Sequence, residues 1–532
     1  MVKIWGDLRL IRKIDSLSPL VERTHGLTAV VAGQLLSYAQ YYLFENVKAP
    51  FVGHRSWLEP SWLVRMRYMT QSASMIQEGY NKYKNTFFKV RRNDNDILVI
   101  PNRFVNELHN LSPQMMNGSQ ALFHNHLGYL ADMELMLESD LHLRAVRAKI
   151  TPNLGNLLPA MEDEIEHSFR LELPDFEGAD KWQEISLNEG LLRTSSRVAS
   201  RLFMGVKVSR NDRWINLTVH YTEDLFTTVV LLRMFPSYLH RVLARALPSY
   251  WRMRKGISLA KQIVGEVVRE RRDSENNGDS KPDDLLSWMM DKAATDQERD
   301  PEELGNRTLI LSMASIHTVC MAALHTLYDV VARPEYLEAL REEMISALRE
   351  DQGWKKTTMS KLRKLDSFMK ESQRLNPLSQ LGFNRYVRRP FTLSDGTHLP
   401  AGTQFNCAAA AISLDREFVP GPCDPDVFDP WRWSRLREES PENTNKFQFA
   451  MTSSDSLHFG HGRQACPGRF LASDEIKMML VKLLLRYDFR YPDGFDRPKN
   501  LTADENVFPD PSATLLMRPH KLDEKINGLL GI

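Results

Sequence analysis

Residues 459–470, FGHGRQACPGRF, make the tightest local demands in the chain. Gly460 and Gly462 precede Cys466 closely. Two residues without a Cβ permit a sharp turn and let backbone approach a flat ligand. Pro467 fits the first position of a helix, where its missing N–H costs nothing. Cys466 is therefore expected at a helix N-terminus, where free N–H groups and the helix dipole lower a thiol pKa and favour thiolate. A thiolate there can ligate a metal, and a buried structural cysteine in a glycine turn is the alternative that this segment leaves open. Cys320, Cys407 and Cys423 form no CxxC pair, which argues against a zinc ribbon and against a disulfide framework.

The 532 residues carry 42% apolar and 26% charged side chains, so a substantial core can form. A net charge of +1 offers no overall attraction to nucleic acid, and no nucleic-acid partner is expected. Residues 1–49 form an N-terminal segment in which Gly26 to Phe44 carries no charge and is about long enough to cross a bilayer. It reads as a membrane anchor, with an amphipathic surface helix as the alternative. Pro50, Gly53 and Pro60 mark a linker into a body spanning 50–532. From there to about Val331 the apolar spacing is helical, with strand candidates at TFFKVRR and DILVIP. Arg271 to Asp284 is polar and reads as an exposed loop. After residue 380 short strands and turns take over, then a proline-rich loop from Pro420 to Pro430 and a last helical segment from Pro467. The expected fold is mainly α with a smaller β-rich region, an α+β arrangement.

Two upstream segments carry further chemistry. FMKESQRLNP puts Glu371 and Arg374 three residues apart on one helical face, a spacing that by default gives a surface ion pair of little energetic consequence. NRTLILSMASIHTVCMAALHTLYDVVARP is a long apolar helix bearing Ala314, Ser315, His317 and Thr318.

These residues resemble the cytochrome P450 family. Its haem loop of Phe, two variable residues, Gly, three variable residues, Cys, one variable residue and Gly is matched by Phe459, Gly462, Cys466 and Gly468. The family's Glu-x-x-Arg is matched by Glu371 and Arg374, and the resemblance implies that Arg432 in DPWRW completes a buried triad. Thr318 matches the threonine of the oxygen-activating helix. Ser315 and His317 depart from the family's second glycine and acid, and Gln464 stands where an arginine is common. The resemblance further implies haem b with Cys466 as axial thiolate, and propionate contacts from Arg385, His142 and Arg144. It implies a proton relay through Thr318. His317 is either a proton carrier in place of the acid or a core histidine satisfied by a backbone carbonyl.

Also implied are dioxygen activation with NADPH-derived electrons, delivered by the flavoprotein NADPH–cytochrome P450 reductase, and attachment to the endoplasmic reticulum with the catalytic body facing the cytosol. That orientation outweighs the basic flank of Lys3, Arg9, Arg12, Lys13 and Arg23, which alone would keep the N-terminal side cytoplasmic. PFVG, TPNLG, Ile-His-Thr and GHGRQACPGRF look like filamentous-fungal members that oxidise diterpenes, indole diterpenes or meroterpenoids. Three readings follow: a monooxygenase of a lipophilic terpenoid or, alternatively, of a polyketide or alkaloid; a haem-thiolate enzyme that rearranges or dehydrates without dioxygen; and a haem sensor without turnover.

Overall fold

Apolar residues three and four apart turn much of the chain into helices that must share their buried faces. The computed structural model describes residues 47–174, 176 and 181–530, so the anchor expected over 26–44 lies outside the described residues. Helix α1 (Ser61–Tyr83) leads into strands β1 (Phe88–Arg91), β2 (Asp96–Val99) and β3 (Met116–Asn117). Then come α2 (Gly118–Asn125), α3 (Leu154–Glu172), strand β4 (Gln183–Ile185), α4 (Asn188–Met204), α5 (Asp212–Arg233), α6 (Pro248–Asn276) and α7 (Pro301–Val331). After α8 (Leu337–Asp351) and α9 (Arg363–Leu375) the chain changes texture, as its turn-rich sequence predicts: β5 (Gly382–Val387) and β6 (Gln404–Cys407) precede α10 (Arg432–Glu438). The last elements are α11 (Arg469–Arg486), β7 (Tyr487–Arg490), the hairpin β8 (Leu501–Ala503) with β9 (Asn506–Phe508), and β10 (Leu515–Pro519).

The axis of the helical part is α7. Asp300 caps it by accepting from the Glu303 N–H, and Pro301 opens it. It is long and apolar enough to cross a membrane, yet 72% of its apolar window is buried inside the fold, against α4, α5, α6 and α11. Residues such as Leu304, Leu309, Ile316 and Leu324 are fully enclosed, and each contributes about 1.5–3 kcal/mol of burial.

The strand candidates near the start pair as an antiparallel β1–β2 ladder. Their sheet runs β1-β2-β6-β5-β3, with β2 and β6 parallel and a register shift in β5 between Gly382 and Arg385. A second sheet runs β4-β10-β7. Two apolar cores result, a large helical one and a smaller one where α1 packs on the five-stranded sheet. This is the mainly α, partly β fold expected.

Two boundaries differ from the sequence reading. Helix α6 continues to Asn276, inside the stretch expected as loop, because Arg271 folds back onto Asp284 and the Met204 carbonyl and gives that polar turn a partner. The last helix begins at Arg469, with Gly468 as its cap, so Cys466 and Pro467 lie just ahead of it.

Candidate active site

The loop before α11 turns as its glycines allow. Gly460 and Gly462 have φ of 65° and 72°, left-handed values that favour glycine, and a Cβ on Gly462 would sit 2.3 Å from the His109 carbonyl oxygen. The close approach lets the Arg463 N–H donate to that oxygen at 3.0 Å, while the Cys466 N–H donates back to Phe459 O at 2.8 Å. Phe459 meets Phe449 edge-on at 5.4 Å and anchors the loop to the core. Gln464 accepts from the Gly118 N–H at 2.7 Å and donates to Met116 O at 3.0 Å, pinning the loop to the β3–α2 junction. An arginine has no acceptor and could not do both.

No cysteine is bonded to another, and Cys466 is the exposed one of the four. The backbone N–H groups of Gly468 and Arg469 favour its thiolate, as a helix start should, but burial wins and pushes the thiol up. A lowered thiol pKa was expected, and from the protein groups alone that expectation is corrected. An accessible sulfur that is also ringed by protein is what a concave site produces.

Helix α7 supplies a second exposed surface. In the middle of the buried helix α7, Ala314 and Thr318 are exposed, one turn apart. Thr318 Oγ donates to Ala314 O at 2.9 Å, which leaves its lone pairs facing a cavity of about 270 Å³. Met313, Met321, Phe226 and Phe508 make that wall apolar. Val230, near the end of α5, also lines it.

His317 reaches the same cavity but is already engaged: Nε2 bonds Val219 O of α5 at 3.1 Å, and burial lowers its pKa to about 4. A ring kept neutral and tied to backbone does not carry protons near neutral pH, so the core-histidine alternative is what the geometry contains.

The three residues expected to meet propionates divide. Arg385, on β5, is buried and among the described residues has no carboxylate partner: it donates to Asn384 O at 2.8 Å and His461 O at 3.3 Å, its Nε is without a partner there, and burial lowers its pKa to about 10. His142, in the short helix Leu141–Ala145, takes a hydrogen bond at Nδ1 from Arg307 at 3.2 Å, which puts its proton on Nε2, a buried donor without a partner among the described residues. Both fit the carboxylates of a haem, since buried polar groups otherwise find partners. Arg144 does not fit: its guanidinium is held by Asp140 at 2.8 Å and Glu298 at 3.0 Å on the surface side.

Glu371 is fully buried and accepts from Arg374 Nη2 at 2.7 Å, Arg432 Nε at 3.2 Å and the Asp429 N–H at 3.0 Å. The three residues therefore form a buried cluster rather than a surface pair. Trp433 Nε1 adds a bond to Glu371 Oε2 at 3.1 Å, a partner that nothing in the spacing announced. The arginines also hold carbonyls of the proline-rich loop, Arg432 that of Pro420 at 2.8 Å and Arg374 those of Pro425 and Val427.

A helix-rich domain with an accessible cysteine just ahead of one long helix and an exposed threonine on another is compatible with the haem-thiolate class that the resemblance implies. The cytochrome P450 family model matches residues 55–517, and the chain belongs to that family. Membership implies haem iron with a thiolate ligand. The chain is 49% identical to the cytochrome P450 monooxygenase AN1598 of Emericella nidulans, over 89% of this chain and 88% of that one. It is 39% identical to an ent-kaurene oxidase of Gibberella intermedia, over 97% of both. A retinoic acid-bound cyanobacterial CYP120A1 superposes with a TM-score of 0.64 at 18% identity, covering 89% of this chain and 100% of that one, which shows the shared fold.

Proposed function

We propose that this chain is a monooxygenase that inserts one oxygen atom into a C–H bond of a lipophilic, terpenoid-type intermediate of fungal secondary metabolism. The observation that carries the reading is the exposure of Ala314 and Thr318 on the otherwise mostly buried helix α7, together with the exposed Cys466. Residues 50–532 are the catalytic domain, and residues 26–44 anchor it to the endoplasmic reticulum membrane with the body on the cytosolic side.

Cys466 would hold the haem iron, with Phe459, Gly462 and Gly468 shaping its loop, and Arg385 and His142 would hold the propionates. Bound haem supplies dioxygen activation by two electrons from NADPH, passed through a partner flavoprotein reductase, with one oxygen atom going to substrate and the other leaving as water. Thr318 holds a proton donor beside the reacting centre, because its hydroxyl already donates to backbone and is left to accept from a water. His317 ties α7 to α5 and acts by positioning. Glu371, Arg374 and Arg432 keep the cysteine side of the core in place. The apolar wall over Thr318 excludes water and suits a hydrocarbon frame, and a relative named for ent-kaurene oxidation supports a terpene substrate.

The test is co-expression with a cytochrome P450 reductase and feeding of terpenoid scaffolds, with products read by mass spectrometry. A product heavier by one oxygen, dependent on both NADPH and dioxygen, is expected. Turnover independent of both contradicts the reading.

A further inference from the structure

A second cavity, of about 170 Å³, adjoins the apolar one over Thr318, and the two share wall residues Leu122, His126, Phe226, Val230 and Asn506. Beyond that shared wall the second cavity is different in kind, for Asn125, Ser379, Asn384 and Asn406 line it, and of these Asn384 Oδ1 already accepts from Gln404 Nε2 at 3.2 Å. Asn406 lies in the middle of the sheet at 3% exposure. Its backbone carbonyl accepts from the Ile100 N–H, but its carboxamide has no partner among the described residues. Asn506 is nearly as free, reaching only Ala503 O at 3.5 Å. A buried amide without a protein partner costs free energy, so Asn406 favours a guest that bonds to it.

His126 sharpens the chemistry of that guest. Its ring bonds Leu122 O through Nδ1 at 2.9 Å, and burial keeps it neutral, with a pKa lowered to about 4. The proton therefore sits on Nδ1, and Nε2 is a bare acceptor on the wall of both cavities. Charge, by contrast, is already spent. Arg233 is bound by Asp504 at 2.6 Å and by Asn125 O, and Glu505 by Arg92 at 2.7 Å. An anionic guest would find no spare cation there among the described residues.

We infer that the substrate already carries a neutral hydroxyl: its apolar frame fills the cavity over Thr318, while the hydroxyl enters the second cavity, donates to His126 Nε2 and accepts from Asn406 or Asn506. The reaction preceding this enzyme is then one that leaves an alcohol, either an earlier hydroxylation or a cyclisation quenched by water. This inference rests on the proposed substrate site.

Spectral titration of the haem-loaded enzyme tests it, with abietadiene and its alcohols hydroxylated at either end of the ring frame as probes. At least one alcohol is expected to bind about tenfold tighter than the hydrocarbon, the size of one hydrogen bond. Asn406→Leu and His126→Phe should each remove that preference by weakening the alcohol while the hydrocarbon binds as well or better. Should Asn406→Leu fail to fold, Asn506→Leu, at the half-buried start of β9, reads out the same preference. Equal binding of all probes to the wild type, or a preference that survives these substitutions, overturns the inference and leaves the substrate site standing. No spectral response to any probe overturns the substrate site and the inference with it.

Discussion

At the scale of single residues, environment decides chemistry more than identity does. Glu371 is fully enclosed and answers two arginines, an indole N–H and a backbone N–H. Removing one partner strands the others' charge in a low-dielectric interior. Glu371→Ala is therefore expected to cost about 3–5 kcal/mol and to abolish haem incorporation. Thermal unfolding and the haem absorbance per protein measure both effects, and a haem-replete variant would contradict the role. Thr318 is different, since its hydroxyl faces a cavity and its backbone bond supports nothing else. Thr318→Ala should leave stability within about 1 kcal/mol but divert electrons from product. The ratio of NADPH consumed to product formed should rise several-fold, and an unchanged ratio removes Thr318 from the proton path. For His317, one residue away, the core-histidine alternative was legible but its partner was not, because a contact across a helix pair, here to Val219 O, is a tertiary fact.

At the scale of elements, local signals were readable where they are intrinsic to the backbone. Gly460 and Gly462 predicted the turn, and their positive φ values deliver it. Gly462→Ala combines a strained φ with a 2.3 Å collision against a backbone oxygen, so it should displace the cysteine loop. Haem retention and melting temperature are both expected to fall, whereas Gly468→Ala, where a Cβ meets nothing within 4 Å, should be far milder. Equal behaviour of the two variants would show that the loop tolerates rearrangement. Periodicity likewise announced α7 and the β1–β2 pair. It could not announce the end of α6, which depends on Arg271 finding Asp284, nor the polar cavity, whose Asn384, Asn406 and Asn506 come from three separate strands. A lone Asn in the fully buried strand QFNC was the one available hint.

At the scale of the whole molecule, the order of the motifs along the chain revealed the family, while their convergence needed the fold. A global consequence is pH dependence. Burial keeps His126, His317 and His458 at pKa about 4, and His142 and His325 at about 3. Each is neutral when folded and takes a proton near pH 6.5 when unfolded, so the unfolded chain binds more protons below that value. Stability should therefore fall as the pH drops from about 6.5 towards 4, by up to ~1.4 kcal/mol per pH unit for each such group. Melting curves across that range check it, and a flat profile would contradict burial of these rings. The central claim is that Cys466 binds haem iron as thiolate. The ferrous carbon monoxide spectrum of the purified chain tests it most directly: a red-shifted thiolate band, lost in Cys466→His, is predicted, and a band at the position of imidazole-ligated haem in the wild type would contradict it.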